Sequence, residues 1–138
     1  MISEPTIADL LRIEELHVCF PVKRSLSLWH AGTTRYVRAV DGVSLRMVPG
    51  EVLGIVGESG CGKSTLARAV VRLEKVASGH IYINGKDVAT MNIADLKRMR
   101  PGVQMIFQDP YASLNPRMTV FDAIAEPIRV HWRPDRNA

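Results

Sequence analysis

The sequence predicts an α/β fold in which a buried strand leads through a glycine-rich loop into a helix. The apolar run at residues 52–56 is typical of a central parallel strand. The glycine-rich loop occupies residues 57–65, and beyond it Leu66, Val70 and Leu73 fall on one face of a helix. This order of strand, loop and helix is the supersecondary setting in which a phosphate-binding loop is found.

The loop at residues 57–65 fits the pattern of glycine, four residues, glycine, lysine and then serine or threonine. Its glycines allow a tight turn that points amide hydrogens at phosphate oxygens. Lys63 can place its charge between the outer two phosphates, Ser64 can ligate magnesium, and the helix from Ser64 onward adds its positive end. A glycine-rich turn without a ligand is the alternative, which the strand and helix context disfavours. The predicted nucleotide-binding residues are Gly57, Ser59, Gly60, Cys61, Gly62, Lys63, Ser64 and Thr65.

The composition is that of one ordinary globular domain. The chain has 138 residues and a net charge of +4, which suits an anionic ligand or a position facing a membrane. No long block of lysine and arginine predicts nucleic-acid binding, and no apolar stretch of membrane-spanning length occurs. With no signal peptide and only two cysteines, Cys19 and Cys61, we expect a reduced, cytoplasmic protein.

Alternating apolar and polar residues predict two half-buried strands, at residues 16–20 and 43–47. Between them, residues 22–36 form a predicted polar and basic loop. Residues 81–83 predict a third short strand, which the turn at Asn84 and Gly85 closes.

The second half of the chain predicts a helix, a strand and a further helix. Asn92 can cap a short helix, and residues 103–107 are a strand candidate that ends at Gln108. Thr119 can cap the helix at residues 119–130, and we expect Pro127 to end or kink it. Residues 131–138 are expected to be a frayed tail. The first of these helices carries Ile93, Leu96 and Met99. In the second helix, Phe121, Ile124 and Ala125 are predicted to face inward.

A second marker follows the last predicted strand. Residues 107–116 read Phe-Gln-Asp-Pro-Tyr-Ala-Ser-Leu-Asn-Pro, and Arg-Met-Thr-Val follows at 117–120. Together with the phosphate loop, this segment resembles the nucleotide-binding domain of an ABC transporter. Residues 20–23 and 37–44 resemble, more narrowly, the ATP-binding subunits of bacterial dipeptide and oligopeptide importers. The resemblance spans roughly residues 10–131 and implies a P-loop NTPase fold, an ABC domain truncated after its Q-loop, with an antiparallel β subdomain.

The resemblance also implies roles for single residues. Gln108 matches the Q-loop glutamine, a neutral amide that reaches magnesium and the attacking water when two domains close on ATP. Lys63 and Gln108 are the implied catalytic residues, and Ser64 and Gln108 the implied magnesium ligands. Phe20 stands where the family places an aromatic ring on adenine, with Tyr36 as the other candidate. The structural alternatives are a core aromatic for Phe20 and a surface loop residue for Gln108.

The same resemblance implies partners and a location. Residues 109–119 would contact the membrane subunits, although a proline-rich loop packed on its own domain explains the segment equally well. A second ATP-binding subunit would complete a dimer. The implied location is cytoplasmic, peripheral on the inner face of the cell membrane.

Three parts of the family's hydrolytic site have no match in the chain: the Leu-Ser-Gly-Gly-Gln-like signature, the strand ending in Asp-Glu and the downstream histidine. We therefore expect little turnover and an apolar face left uncovered. The first hypothesis is an ATP-binding subunit of a peptide importer, which binds Mg-ATP to power uptake. The second is a non-hydrolysing nucleotide-binding remnant or an inactive gene fragment. The segment at Gln108 argues against a different P-loop ATPase.

Overall fold

The computed structural model describes residues 9–22, 35–109 and 114–131, so most of the predicted basic loop and the predicted tail lie outside it. The chain divides into two compact units, Met1–Arg98 and Met99–Ala138, and each is described by itself. The secondary structure of the first unit is β1 (Leu11–Pro21), β2 (Tyr36–Met47), α1 (Lys63–Val70), β3 (Ser78–Ile83), β4 (Lys86–Asp87) and α2 (Ile93–Met99), which ends at the boundary. The described part of the second unit contains a 3-10 turn, Arg100–Gly102, and the helix α3 (Val120–His131).

The first unit is built on an antiparallel sheet with the strand order β2-β1-β3-β4. This sheet confirms the three predicted strands and shows that the first two are longer, at 11 and 12 residues. Two apolar side chains of helix α1 belong to the core. The other core side chains lie in the strands of the sheet, except one that follows β4. The buried residues are Ile13, Leu16, Val18, Val40, Leu66, Ala69, Ile81, Ile83 and Val88.

Three irregularities in the pairing of β1 with β2 keep the apolar side chains on one face of the sheet. In each of them, one strand advances one residue more than its partner, which is the pattern of a β-bulge. Glu15, at φ 43°, and Gly42, at φ 70°, lie in the first two. Side chains alternate between the two faces along a strand. The extra residue at each bulge shifts this alternation by one position and so keeps the next apolar residue on the core side. The resulting pairs are Ile13 with Leu45, Leu16 with Val43, Val18 with Val40 and Phe20 with Val37.

The turn between β3 and β4 is the one that the sequence predicts. Asn84 and Gly85 have φ of 49° and 75°, and Ile83 pairs with Lys86 on either side of them. Positive φ at both central residues is the requirement of a two-residue hairpin turn whose twist matches that of the strands.

Two of the predicted strands are wrong. Residues 52–56 are irregular and belong to no sheet, and Val52 and Val56 are 96% and 92% exposed. Residues 103–107 are likewise irregular, and Ile106 is 91% exposed. An apolar run forms a strand only where a neighbouring strand pairs with its backbone, and the described part of the chain provides none for either segment.

Helix α1 confirms the predicted helix, with a smaller apolar face than expected. It begins at Lys63 and buries Leu66 and Ala69. Val70 is only half-buried, and Leu73 lies beyond the end of the helix and is exposed, so the prediction that Leu73 shares a helical face with Leu66 and Val70 is wrong.

Both predicted helix caps are present. The amide of Asp95 donates to Asn92 Oδ1 at 2.9 Å at the start of α2, and the amide of Asp122 donates to Thr119 Oγ1 at 3.1 Å at the start of α3. In α2, Leu96 and Met99 are half-buried, whereas Ile93 is exposed.

Helix α3 departs from the sequence prediction in two respects. It continues past Pro127 to His131, so the proline does not end it. Phe121 and Ile124 are 71% and 65% exposed, whereas the apolar pattern predicts that they face inward, and only Ala125 of the three is half-buried. An amphipathic face is buried only where another element covers it, and the exposure of these side chains shows that this face is largely uncovered.

The hydrogen bonds of the Asp87 carboxyl group make the stability of the sheet depend on pH. Burial raises the pKa of Asp87, but the hydrogen bonds from His80 and from the Ala89 amide outweigh this and hold the pKa below its usual 3.8. His80 Nδ1 and the Ala89 amide each lie 2.9 Å from a carboxylate oxygen. A lowered folded-state pKa gives stability that is present above pH 3.8 and is lost as the pH falls through the folded-state pKa.

We therefore expect Asp87→Asn to lower the free energy of unfolding at pH 7 by about 1–2 kcal/mol, and the difference from the wild type to shrink below the unfolded pKa. Urea unfolding followed by circular dichroism between pH 7 and pH 3 measures this. The matched control is Glu126→Gln, at an exposed carboxylate of α3. An equal loss of stability in both variants at pH 7 contradicts the assignment to Asp87.

Candidate functional site

The glycine-rich loop is a compact turn that its own backbone and Lys63 hold together. The amide of Cys61 donates to the carbonyl oxygen of Glu58 at 3.4 Å. Lys63 Nζ donates to the carbonyl oxygens of Gly57 and Glu58 at 2.7 and 2.6 Å, and Cys61 Sγ lies 3.4 Å from the same nitrogen. The ammonium group is therefore fixed against the first two residues of the loop.

Gly62 joins the loop to α1 and rests on the backbone of β2. Its φ is 99°, and a Cβ at this position would lie 2.1 Å from the carbonyl oxygen of Ala39 and 3.9 Å from Val40 Cγ2. Only glycine meets both requirements, because it tolerates positive φ and has no Cβ. Its carbonyl oxygen accepts the first helical hydrogen bond, from the Leu66 amide at 2.9 Å. Strand β2 thus fixes the point at which α1 begins.

The start of α1 provides donors for an anion. The first amides of a helix have no acceptor within it, and the first turn of α1 contains no acidic side chain to neutralise its positive end. Ser64 is exposed in this turn, and Thr65 is half-buried beside it. At the other side of the loop, a Cβ on Gly57 would lie 2.7 Å from Cys61 Sγ, so a larger residue there would have to displace the Cys61 thiol.

These donors fit a nucleotide phosphate with its magnesium ion. Amide groups and the Lys63 ammonium suit phosphate oxygens, and a hydroxyl group such as that of Ser64 is a hard oxygen ligand for Mg²⁺. Ser59 and Gly60 complete the turn on its exposed side. The structure therefore places all eight residues predicted from the loop pattern in one stretch, from Gly57 to the first turn of α1.

Phe20 and Tyr36, the two candidates for the adenine site, lie on opposite faces of the sheet. Phe20 pairs with Val37, and Tyr36 pairs with Pro21. Paired residues share a face and consecutive residues alternate, so Phe20 lies on the face of Val18 and Val40 and Tyr36 on the other. The first of these is the face on which Gly62 approaches Val40.

The remaining predicted site residues belong to the second unit. Gln108 is exposed and follows the irregular residues 103–107. Within the segment 109–119, the described part begins at Leu114, which is 61% exposed. Asn115 then organises a turn, because its carbonyl oxygen accepts from the Met118 amide and its side chain from the Arg117 amide, both at 3.0 Å.

The sequence patterns miss the part of β2 that supports the loop. Ala39 and Val40 contact the position of Gly62, and Val37 pairs with Phe20. The available signal is the spacing of Val37, Val40 and Val43, three residues apart with Gly42 between the last two, which indicates bulges in a strand. A search for strict alternation finds only the end of this strand.

Neither a membrane-spanning helix nor a clustered metal site is found in the described ranges. No helix there is long and apolar enough to cross a membrane. No three side chains of histidine, cysteine, aspartate or glutamate come together there as metal ligands.

Known proteins are similar in sequence to most of this chain. The oligopeptide transport ATP-binding protein OppF of Escherichia coli is 49% identical over 122 residues, which is 88% of this chain and 36% of that protein. The glutathione import ATP-binding protein GsiA of Escherichia coli is 45% identical over 133 residues, 94% of this chain and 21% of that protein. The chain thus spans about a third or less of the length of these relatives.

A solved structure supports the same fold. A dimeric bacterial ABC transporter cassette, 21% identical, superimposes with a TM-score of 0.69 over 90% of this chain and 49% of that one. This confirms the predicted fold class, an α/β P-loop domain with an antiparallel β subdomain. The family described as ABC transporter matches residues 40–137, a range that includes the whole phosphate loop. Because this match extends over most of the sequence, the chain belongs to the ABC transporter family.

Proposed function

We propose that this chain is the nucleotide-binding part of the ATP-binding subunit of a peptide importer, and that it binds Mg-ATP through residues 57–65. The observation that supports binding is the position of the Lys63 ammonium, fixed on the carbonyl oxygens of Gly57 and Glu58 and directly joined to the start of α1. The names of its relatives, which transport oligopeptides and glutathione, support the substrate class.

In this proposal, some residues of the loop supply positive charge to the phosphates, and others orient the groups that bind them. Lys63 supplies a positive charge to the outer phosphates, and the first amides of α1 donate to their oxygens. Ser64 would hold magnesium, and the bound ion would neutralise charge on the phosphates. Gly62 keeps the loop seated on β2, so that the amides and the ammonium face one ligand together.

For Gln108 we propose the role of a Q-loop glutamine, which acts on magnesium and on the attacking water. Its amide can offer a carbonyl oxygen to magnesium and accept a hydrogen bond from water, without adding charge. The exposed position of its side chain is compatible with this role. We place the complete site in a dimer with a second ATP-binding subunit, on the cytoplasmic face of the membrane.

The face of the sheet supports Phe20 rather than Tyr36 as the residue that stacks on adenine. Phe20 shares the face on which Gly62 approaches β2, and it is 38% exposed, so part of its side chain is accessible to a ligand. Tyr36 is directed to the opposite face, away from the phosphate loop.

Contact with the membrane subunits is assigned to residues 109–119, and Leu114 offers a direct test. We expect Leu114→Asp to reduce binding to vesicles that carry the membrane subunits of an oligopeptide importer by about tenfold, because a charge replaces an apolar contact. Ile128→Asp is the matched control, since Ile128 is a comparably exposed apolar residue of the same unit, outside residues 109–119. Vesicle flotation with Mg-ATP measures the bound fraction.

The outcomes separate the two parts of this proposal. If the wild-type chain does not float with these vesicles, the assignment to a peptide importer is wrong. If the wild type and both variants float equally, the importer assignment stands and the contact through residues 109–119 is wrong.

A further inference from the structure

We infer that Asp41 is a positioning residue for the phosphate loop, because its side chain holds the part of β2 on which the loop rests. This inference rests on the proposed function, and it adds a residue from outside the loop to the same site. Asp41 lies in β2 and is exposed to solvent. Its carboxylate nevertheless connects β2 to β1 and spans a bulge in β2 directly beside the loop.

The part of β2 that supports the loop is irregular. Val18 and Cys19 are consecutive in β1, but their partners Val40 and Arg38 are two residues apart in β2. Ala39 is therefore the extra residue of a bulge and has no partner in β1. Because a bulge bends its strand and interrupts the pairing, the position of Ala39 depends on the groups on either side of it.

This extra residue is the one that the loop contacts. A Cβ on Gly62 would lie 2.1 Å from the carbonyl oxygen of Ala39, so the Cα of Gly62 is within about 3.6 Å of that oxygen, one C–C bond length more. Val40 Cγ2 would lie 3.9 Å from the same Cβ. A change in the shape of the bulge therefore displaces the junction of the loop and α1, and with it the donors that face the phosphates.

The carboxylate of Asp41 holds this bulge from the solvent-exposed side of the strand. Arg38 Nη1 donates to the two carboxylate oxygens at 3.4 and 3.5 Å, so that one ion pair spans the two residues between Arg38 and Asp41. His17 Nδ1 lies 2.9 Å from Asp41 Oδ1 and ties the same carboxylate to β1. The two residues that Gly62 approaches thus lie within a segment whose ends are joined to each other and to the neighbouring strand.

A comparable histidine and aspartate pair in the same sheet provides the matched control. His80 Nδ1 lies 2.9 Å from Asp87 Oδ2, the same distance as in the pair of His17 and Asp41. Asp87 lies in β4, at the opposite edge of the sheet from β2. Replacing either aspartate by asparagine removes one negative charge, which by itself favours an anionic ligand. A loss of affinity in the Asp41 variant alone is therefore opposite in sign to the effect of net charge.

The test measures two phosphate ligands on the full chain. We expect Asp41→Asn to raise the Kd for Mg-ATP and for magnesium tripolyphosphate by about fivefold each, a moderate effect because exposed ion pairs are weak. Asp87→Asn leaves both values within about twofold of the wild type, although it lowers the stability of the sheet. Isothermal titration calorimetry at constant salt gives the dissociation constants. His17→Ala, which removes the link from Asp41 to β1, is expected to act in the same direction and serves if Asp41→Asn does not fold.

A displaced loop is also visible without a ligand. In two-dimensional NMR of the unliganded chain, we expect the amide signals of Ala39 and Gly62 to shift in Asp41→Asn and to stay in place in Asp87→Asn. A loss of stability alone does not move these signals while the chain remains folded, so they report the position of the loop.

The inference is wrong if Asp41→Asn binds both ligands as the wild type does, or if Asp41→Asn and Asp87→Asn lose affinity equally. A loss for Mg-ATP without a loss for tripolyphosphate also contradicts it, because the loop holds the phosphates. If the wild-type chain binds neither ligand, the proposed function fails. The unliganded signals of Ala39 and Gly62 then still decide whether Asp41 positions the loop.

Discussion

Replacing Lys63 by alanine is expected to weaken the binding of Mg-ATP about 100-fold, because charge-assisted hydrogen bonds to phosphate are among the stronger polar contacts. The Lys63 side chain makes its hydrogen bonds within the loop, since its nitrogen lies within 2.7 Å of two loop carbonyl oxygens. Isothermal titration calorimetry at constant salt gives the two dissociation constants. Constant salt matters, because exposed charges are screened.

The control for this variant is Lys75→Ala, at an exposed lysine outside the loop, which removes the same charge from the chain. Thermal unfolding of both variants shows whether Lys63 also supports the fold through Gly57 and Glu58. The assignment is contradicted if Lys63→Ala binds Mg-ATP within about threefold of the wild type, or if Lys75→Ala loses as much affinity.

Replacing Gly62 by alanine is expected to lower the free energy of unfolding by about 3 kcal/mol. The substitution combines a left-handed backbone, at φ 99°, with a Cβ only 2.1 Å from the carbonyl oxygen of Ala39. To relieve the overlap, either β2 or the start of α1 must move, and the amides of the loop move with it. We therefore expect Mg-ATP binding to be lost together with stability.

Gly60 provides the matched control for Gly62. Its φ is also positive, at 82°, but a Cβ there would have no atom within 4 Å. Alanine at this position therefore adopts an unfavourable backbone conformation but makes no steric overlap. We expect Gly60→Ala to lower the free energy of unfolding by about 1 kcal/mol. Urea unfolding of the two variants measures the difference, and equal destabilisation would show that the contact with Ala39 is unimportant.

Features that depend on neighbouring residues could be predicted from the sequence. The phosphate loop is visible because positive φ and close backbone approach demand glycine at fixed spacings. The turn at Asn84 and Gly85 is visible for the same reason, and both helix caps follow from polar side chains placed just before an apolar pattern.

Features that depend on distant segments could not be predicted in this way. The bulges at Glu15 and Gly42 arise from the pairing of β1 with β2, whose partners are many residues apart. The third irregularity, where Val18 and Cys19 pair with Val40 and Arg38, changes the alternation in the same way, so strict alternation does not reveal that Val37 and Val40 share a face. The contact between Gly62 and Ala39 is hidden for the same reason.

The wrong strand and helix-face predictions have one physical cause. An apolar run such as residues 52–56 indicates that a segment is suited to a sheet, but the sheet also needs paired neighbours. The same holds for Phe121 and Ile124 of α3, whose pattern predicts an inward face that remains exposed. Sequence patterns state what a segment can bury, whereas the other segments decide whether it is buried.

The most direct test of the account is to map the binding of Mg-ATP on the full chain by two-dimensional NMR of the backbone amides. We predict that the largest chemical-shift changes fall on the loop from Gly57 to Thr65, with smaller changes at Phe20. Saturable chemical-shift changes confined to other parts of the chain would contradict the central claim that this loop binds the nucleotide. The absence of changes at Gly62 and Lys63 at millimolar Mg-ATP would contradict it as well.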